Sequence, residues 1–180
     1  FEPGNPQEGY SPSPQERQSW LQISYMKEAY HTMGPKFTLG WMAEALYSSK
    51  NFSENYTATM MQAGEFAPTP HSKLMYNEAF RANQYVAAGI KPIYVLNDMF
   101  QFRTEFYGFT PIFPIKKNAL NKAYYGKAFS RFEYMGEVSV ICHLPFGAIS
   151  AYVNHYSSPR REWNVGMTIG WQLFNYRFVE

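Results

Sequence analysis

The sequence predicts an all-β fold, an antiparallel transmembrane β-barrel segment of about seven strands. Aromatic residues make up 19% of the chain, whereas charged residues make up only 17%, below the ~25% of soluble domains. Mean hydropathy is −0.41, and no apolar run approaches the ~18 residues that a spanning helix needs. Large apolar and polar residues alternate along much of the chain. A membrane barrel accommodates all of these features because only every second strand residue faces lipid.

The N-terminal residues 1–18 are rich in Pro, Gly, Ser and Gln. Such a composition buries little apolar surface, so we expect an extended loop or a disordered segment there. Residues 19–180 are expected to form outer-membrane β-barrel strands, with long loops at 48–79 and 110–130. The net charge of +2 gives no indication of nucleic-acid binding.

The clearest predicted strand is Met99–Phe109, in which Phe102 and Phe106 alternate with Arg103 and Glu105. An alternation of this kind has the period of a strand, not of a helix. Most of the predicted strands are long enough to cross a bilayer at a tilt, which takes roughly 9–11 residues. Six further segments alternate in the same way: Trp20–His31, Phe37–Tyr47, Phe80–Tyr94, Phe132–Leu144, Gly147–Tyr156 and Val165–Phe178.

Short and long connections alternate between these strands. Outer-membrane barrels show this pattern, with tight turns on the periplasmic side and longer loops outside. Counting back from a periplasmic C-terminus places residues 1–18 outside, whereas bacterial barrels begin in the periplasm and have an even strand number. We therefore expect the C-terminal part of a larger barrel of about 16 strands. The unusually long loop 48–79 is expected either to fold into the lumen as a plug or lid, or to form a short hairpin above the membrane.

Polar residues on the alternate faces of the strands are expected to face the lumen. One interpretation is a charged lining that serves a pore or holds a plug, and the other is a solvated interior without a specific role. Polar lumens are generic to the class, which favours the second interpretation. A carboxylate in lipid would be costly, so the phase of Glu44 also checks the register. The predicted lumen-facing residues are Glu44, Lys91, Arg103, Glu105 and Glu137.

Aromatic residues at the strand ends have two interpretations, a ligand-stacking set or the aromatic girdle at the lipid headgroups. The girdle is the better interpretation because amphipathic rings favour that depth. The basic pairs Lys116-Lys117 and Arg160-Arg161 either contact lipopolysaccharide phosphates or are ordinary solvated charges. The predicted girdle comprises Trp20, Tyr30, Tyr47, Tyr94, Tyr107, Tyr134, Tyr156 and Trp163.

Four stretches carry a family resemblance: HSKLMYNEAFRANQYVAAGIKPIY, FYGFTPIFPIKKN, AYYGKAF and the terminal WNVGMTIGWQLFNYRFVE. They resemble the C-terminal barrel region of patatin-like phospholipase family proteins of the Bacteroidetes, over residues 17–180. Those proteins look like a patatin α/β hydrolase, a linker related to the POTRA domains, and a barrel related to the Omp85 (surface-antigen) group. The resemblance implies that a lipase domain lies upstream of Phe1.

The chemistry of that family does not extend to this segment. A patatin site uses a Ser in a Gly-x-Ser-x-Gly elbow and an Asp in an Asp-Gly pair, and the sequence contains neither. It also lacks a short-spaced His or Cys pair, so we expect no catalytic residue, no metal and no cofactor here. The C-terminus resembles the signal by which barrel proteins engage the assembly machinery, although Asn175, Val179 and Glu180 depart from it. The matching residues are Gly170, Trp171, Leu173, Tyr176 and Phe178.

The expected function is therefore an outer-membrane barrel portion that anchors, and translocates, an upstream patatin-like lipase. The expected partners are outer-membrane lipid and lipopolysaccharide, the barrel-assembly machinery and upstream strands of the same protein. One alternative is another outer-membrane barrel, either a porin or an Omp85-type assembly factor. The other is a soluble lipid-binding β-barrel, in which Phe100, Phe102 and Phe106 would point inward while Arg103 and Glu105 pointed outward. An enzyme within this segment is the least supported class.

Overall fold

The structure, a computed structural model, describes residues 19–158 and 163–171. The predicted loop 1–18, the Arg160-Arg161 pair and the chain beyond Trp171 lie outside the described residues. The chain is all-β, with one short α-helix, α1 (Tyr56–Gln62). No helix in the described ranges is both long and apolar enough to cross a membrane. The strands are β1 (Gln22–Thr32), β2 (Phe37–Ser48), β3 (Gly64–Glu65), β4 (Arg81–Ala82), β5 (Gln84–Val95), β6 (Phe100–Pro111), β7 (Ile115–Lys117), β8 (Ala123–Tyr125), β9 (Glu133–Leu144), β10 (Gly147–Tyr156) and β11 (Trp163–Trp171).

Seven of these strands form one antiparallel sheet in the order β1-β2-β5-β6-β9-β10-β11. The prediction of about seven antiparallel strands is confirmed, and six of them begin within two residues of the predicted position. The predicted start at Phe80 is wrong. Residues Glu78–Phe80 form a 3-10 turn capped by Asn77, whose side chain accepts a hydrogen bond from the Ala79 N–H at 2.9 Å. The long strand begins only at Gln84.

The connections fall at the two ends of the sheet according to their length. The links that follow β1, β5 and β9 are short turns at one end. The links that follow β2, β6 and β10 lie at the other end because each strand reverses direction. Two of these longer links carry structure of their own. Residues 49–83 hold α1 and the β3–β4 pair, and residues 112–132 hold the β7–β8 hairpin.

The two faces of the sheet differ in both composition and burial. On β6, Phe106 is 49% exposed, whereas its neighbour Glu105 is 2% exposed. We call the apolar side the outer face and the opposite side the polar face. A similar contrast extends to the other strands, since side chains alternate between the two sides of a sheet. Exposed outer-face residues include Ile23, Tyr25, Val86, Ile90, Phe102, Phe106, Val138, Ile149, Val153, Val165, Met167 and Ile169.

The hydrophobic core lies on the polar-face side, where the long connection 49–83 covers one end of the sheet. Phe66 and Phe80, each 1% exposed, pack against inward-pointing aromatic residues of β5 and β6. A second cluster joins α1 to the β7–β8 hairpin through Met60 and Ile115. The connection holds the two-residue β3–β4 pair, whose strands are joined by residues 66–80, and it packs onto the polar face. Its insertion into a lumen as a plug or lid stays a prediction.

Candidate functional site on the polar face

A row of aligned residues, one from each of the seven long strands, crosses the middle of the polar face. We call this set the polar row. Direct cross-strand pairs join its seven residues in two groups, three on β1, β2 and β5 and four on β6, β9, β10 and β11. Lys91 on β5 and Glu105 on β6 connect the two groups. They stand opposite each other because the pairs Ile90↔Phe106 and Ile93↔Arg103 on either side keep the same register. In sheet order the row is Tyr30, Gly40, Lys91, Glu105, Glu137, Asn154 and Asn164.

Charges in and beside the polar row are largely paired. The Lys91 ammonium forms an ion pair with Glu28 on β1 and lies 5.8 Å from the centre of the Tyr107 ring. The Arg103 Nε lies 2.5 Å from Glu105 Oε1, and the Tyr107 hydroxyl donates to the other carboxylate oxygen of Glu105. Glu105 is thus held by a cation and a hydroxyl, the arrangement that a buried carboxylate requires.

Glu137 is the exception among these buried charges. It is 4% exposed and stands directly opposite Glu105, a second carboxylate. The two cations nearby pair with Glu28 and Glu105, so Glu137 has no ion pair in residues 19–158 and 163–171. Its Oε2 atom has no hydrogen-bond partner there, while the side chains of Asn154 and Thr69 interact with its carboxylate. A buried carboxylate in such a position is costly, so this point of the sheet favours a polar or proton-donating neighbour.

All five polar residues singled out from the sequence lie on the polar face. Lys91, Glu105 and Glu137 are buried, while Glu44 and Arg103 are partly buried. Glu44 accepts a hydrogen bond of 2.6 Å from the Tyr85 hydroxyl. The enclosure of this face as a lumen stays a prediction. Sequence reasoning missed Glu28. Its even position in β1 alternates with Ile23 and Tyr25 on the outer face, so the strand period would have placed it on the polar face.

Three tyrosines on the polar face lie flat against the glycine directly opposite them in the sheet. A Cβ built on Gly40 would lie 2.6 Å from Cε1 of Tyr30. A Cβ on Gly89 would lie 2.7 Å from Cε1 of Tyr107, and one on Gly166 would lie 2.8 Å from Cε2 of Tyr152. None of these positions has room for a side chain, so the glycines fix where the rings lie. The pairs join β1 to β2, β5 to β6 and β10 to β11.

The connection 49–83 is anchored on the polar face by aromatic stacking. The Phe66 ring stacks on Phe109 with centroids 5.8 Å apart, and it meets Tyr85 and Tyr107 edge-on at 6.1 and 6.0 Å. Arg81 closes the base of this connection, since its Nη2 lies 2.5 Å from Glu65 Oε2 while its Nη1 donates to the Met61 carbonyl at 3.1 Å. The connection is therefore an ordered cover over that end of the sheet.

A second contact fastens the cover to β10. The His71 Nδ1 lies 2.8 Å from the Tyr156 hydroxyl, and the His71 ring lies 5.6 Å from the ring of Tyr152. Burial lowers the pKa of His71, because the charged imidazolium would lose its hydration there. The Asn77 side chain adds a hydrogen bond of 3.1 Å to the Ser158 carbonyl. The His71–Tyr156 contact therefore adds a fastening in which burial favours the neutral form of the histidine.

The predicted aromatic girdle is only partly outward. Tyr107 is fully buried and Tyr156 is 4% exposed, and both belong to the polar face. Tyr30 is 51% exposed but lies on the same face, since it pairs with Gly40 in the polar row. Their assignment to the girdle is wrong, because position at a strand end does not decide the face and their alternation phase does. Tyr47, Tyr94 and Trp163 do point outward. Beside Trp163, a groove of about 270 Å³ runs over Gly136 on the outer face. Its apolar lining includes Phe106, Val138, Val153 and Trp163.

The assembly-signal residues are described only in part. Gly170 lies in β11 opposite Ala148, and Trp171 ends that strand. Leu173, Tyr176 and Phe178 lie outside the described residues. In the described ranges, no group of three or more His, Cys, Asp or Glu side chains is arranged to hold a metal. No protein-family model, curated protein or solved structure matches this chain.

Proposed function

We propose that this chain is part of a bacterial outer-membrane β-barrel that anchors its protein in the lipid bilayer. The observation that carries the proposal is the inverted burial of the sheet. Large apolar residues such as Phe106 and Ile169, 49% and 61% exposed, cover one face, while Glu105 and Glu137 are buried on the other. In water, an apolar surface that extends over seven strands would far exceed the few hundred Å² that monomers usually expose. In lipid, the same surface is the stable one.

The edges of the sheet fit the same proposal. β1 and β11 are the two ends of the strand order. Lipid offers no hydrogen bonds to an open strand edge, so both edges require partner strands within the membrane. Upstream strands of the same protein, as the family resemblance implies, would complete a barrel of about 16 strands. The polar row would then lie inside the closed wall.

The covered polar face favours an anchor over an open pore. Phe66 and Phe80 occupy the space in front of Tyr85, Tyr107 and Phe109. The family resemblance implies that the anchored domain is an upstream patatin-like lipase. The second part of the proposal is that the barrel also translocates this domain. The residues encoded before Phe1 test the cargo directly. A Gly-x-Ser-x-Gly elbow there would support a lipase, and a sequence without patatin motifs would favour an Omp85-type factor instead.

The two competing functions need different arrangements. A porin needs a water-filled path along the polar face, which the connection 49–83 covers at one end. A soluble lipid-binding barrel needs Phe100, Phe102 and Phe106 to point into the protein, but these side chains are 36%, 44% and 49% exposed. Their exposure, together with the burial of Glu105 on the opposite face, supports the membrane proposal over that alternative.

The chain's one cysteine provides a direct experiment. Cys142 lies on the outer face of β9, opposite Phe100 and Ile149. A bimane label on Cys142 should be quenched by nitroxide lipids and protected from aqueous iodide after the full chain is folded into vesicles. The matched control is Cys142→Ser with Ser150→Cys, which moves the label to the polar face of the adjacent strand and should abolish the lipid quenching. Iodide quenching of Cys142 without lipid quenching would overturn the membrane proposal.

A further inference from the structure

The connection between β6 and β9 is strongly basic. Residues 112–132 carry five basic residues and no acidic one. We call this segment the basic hairpin. Arg131 is paired with Glu133 at the base of β9. The remaining four side chains are exposed and form no ion pair in the part of the chain that the structure describes: Lys116, Lys117, Lys122 and Lys127.

The basic hairpin is an ordered scaffold for these charges. Ile115, 3% exposed, packs against α1, and the Asn121 carbonyl accepts a hydrogen bond of 2.8 Å from the Tyr56 N–H. The side chain of Asn118 accepts from the N–H groups of Leu120 and Lys122 at 2.9 and 2.8 Å, which fixes the turn. A backbone held in place in this way reduces the entropy cost of binding a ligand.

Exposed apolar residues accompany the charges. Leu120 at the turn is 78% exposed, and Phe129 is 62% exposed. Phe129 adopts a φ of 50°, a left-handed conformation rare for a bulky residue, and its N–H donates to the Ile112 carbonyl at 2.9 Å. Strain of this kind marks positions that the surrounding structure enforces. The exposed Phe129 thus stands on a backbone that its neighbours hold in place.

The basic hairpin also meets the outer face of the sheet. The Phe132 ring lies over Gly108, where an added Cβ would come within 3.0 Å of its Cε2. The chain then enters β9, whose Tyr134 and Gly136 line the outer-face groove. The lysines and exposed apolar groups therefore stand on a segment that leads straight to the surface that we assign to lipid.

We infer that the basic hairpin binds the phosphate-bearing headgroups of the membrane in which the sheet is embedded. This inference rests on the proposed membrane function. Four unpaired lysines supply the charge complementary to phosphate, and each lysine near an anionic surface contributes about fivefold in affinity. Phe132, which lies over Gly108 on the outer face, and the exposed Leu120 and Phe129 supply apolar groups for the layer beneath the headgroups. A free phosphate ion would use the lysines alone and gain nothing from these apolar groups.

The experiment uses the full chain folded in zwitterionic micelles, titrated with lipid A, a lipid that carries phosphate groups. The variant Lys116→Gln/Lys117→Gln should weaken binding by about fivefold for each lysine. The matched control, Lys36→Gln/Lys73→Gln, removes the same charge from two exposed lysines outside the basic hairpin and should bind within about twofold of the unaltered chain. Inorganic phosphate alone should compete poorly.

Each outcome distinguishes this inference from the proposed function. If the Cys142 label is quenched by lipid but both double variants lose equal affinity, the headgroup site is overturned and the membrane proposal stands. If inorganic phosphate competes as well as lipid A, the site is a general anion site and the lipid inference is overturned. If the Cys142 label is not quenched by lipid, both proposals fail together.

Discussion

Tyr107 lies directly opposite Gly89 in the ladder between β5 and β6, and its ring fills the space that any side chain at position 89 would need. The Lys91 ammonium lies over the same ring, and the Phe66 ring contacts it edge-on. The Tyr107 hydroxyl donates a hydrogen bond to the Glu105 carboxylate. One cross-strand pair thus joins the polar row to the covering connection. A substitution at Gly89 should therefore disturb the packing of both the polar row and the connection 49–83.

Gly89→Ala should destabilise the folded chain by about 1–3 kcal/mol, because the new Cβ would approach the Tyr107 ring to 2.7 Å at Cε1 and the Phe106 carbonyl to 2.9 Å. Urea unfolding in micelles, followed by tyrosine and tryptophan fluorescence, measures the loss. Gly136→Ala is the matched control, since the nearest atom to its Cβ is 3.7 Å away. Equal stability of the two variants would show that Tyr107 does not depend on the glycine.

Glu105→Gln and Glu137→Gln should act in opposite directions. The first removes the partner of Arg103 and should cost about 2 kcal/mol, less than for a wholly buried pair because the Arg103 side chain is 30% exposed. The second removes a buried carboxylate that has no ion pair among the described residues, and should raise stability by up to about 1 kcal/mol. The same urea titration compares them. A loss at Glu137 as large as that at Glu105 would contradict the charge assignment.

The cover formed by residues 49–83 should loosen at low pH. Burial lowers the pKa of His71 in the folded chain, so the unfolded chain binds the proton more readily. The contribution of His71 is therefore fully present above its ordinary value of about 6.5 and is lost as the pH falls below it. The unaltered chain should lose stability relative to His71→Gln between about pH 7.5 and pH 5.5. A stability difference that is constant over this range would refute the histidine contact as a pH-dependent fastening.

Phe106→Arg should sharply reduce folding into vesicles, because a cation on the lipid face of a barrel costs about 2–4 kcal/mol near mid-depth. Thr168→Arg is the control, an exposed position on the polar face of β11. Protection from externally added protease reports the folded fraction. For a water-soluble sheet, replacing an exposed Phe by Arg would be harmless or favourable, so an unaffected Phe106→Arg variant would count against the membrane proposal.

Much of the strand pattern was accessible from the sequence. The alternation of Phe102 and Phe106 with Arg103 and Glu105 gave both the strand and its two faces, because side chains on a strand point to opposite sides with a period of two. The same rule would have corrected Tyr107 and Tyr156, which were grouped with the girdle by their position at strand ends. The prediction that a strand begins at Phe80 was wrong for a different reason, because the Asn77 side chain caps a local turn that competes with strand formation.

The sequence by itself determined which residues share a face and which connections are long, because both follow from local periodicity and from the spacing of turn residues. Only the tertiary structure decided that Glu105 stands opposite Glu137, that Lys91 pairs with Glu28, and that Phe66 packs on Tyr107. These relationships depend on strand register and on the path of a long connection. The register and the path are fixed by contacts between residues that are far apart in the chain. No local sequence pattern contains that information.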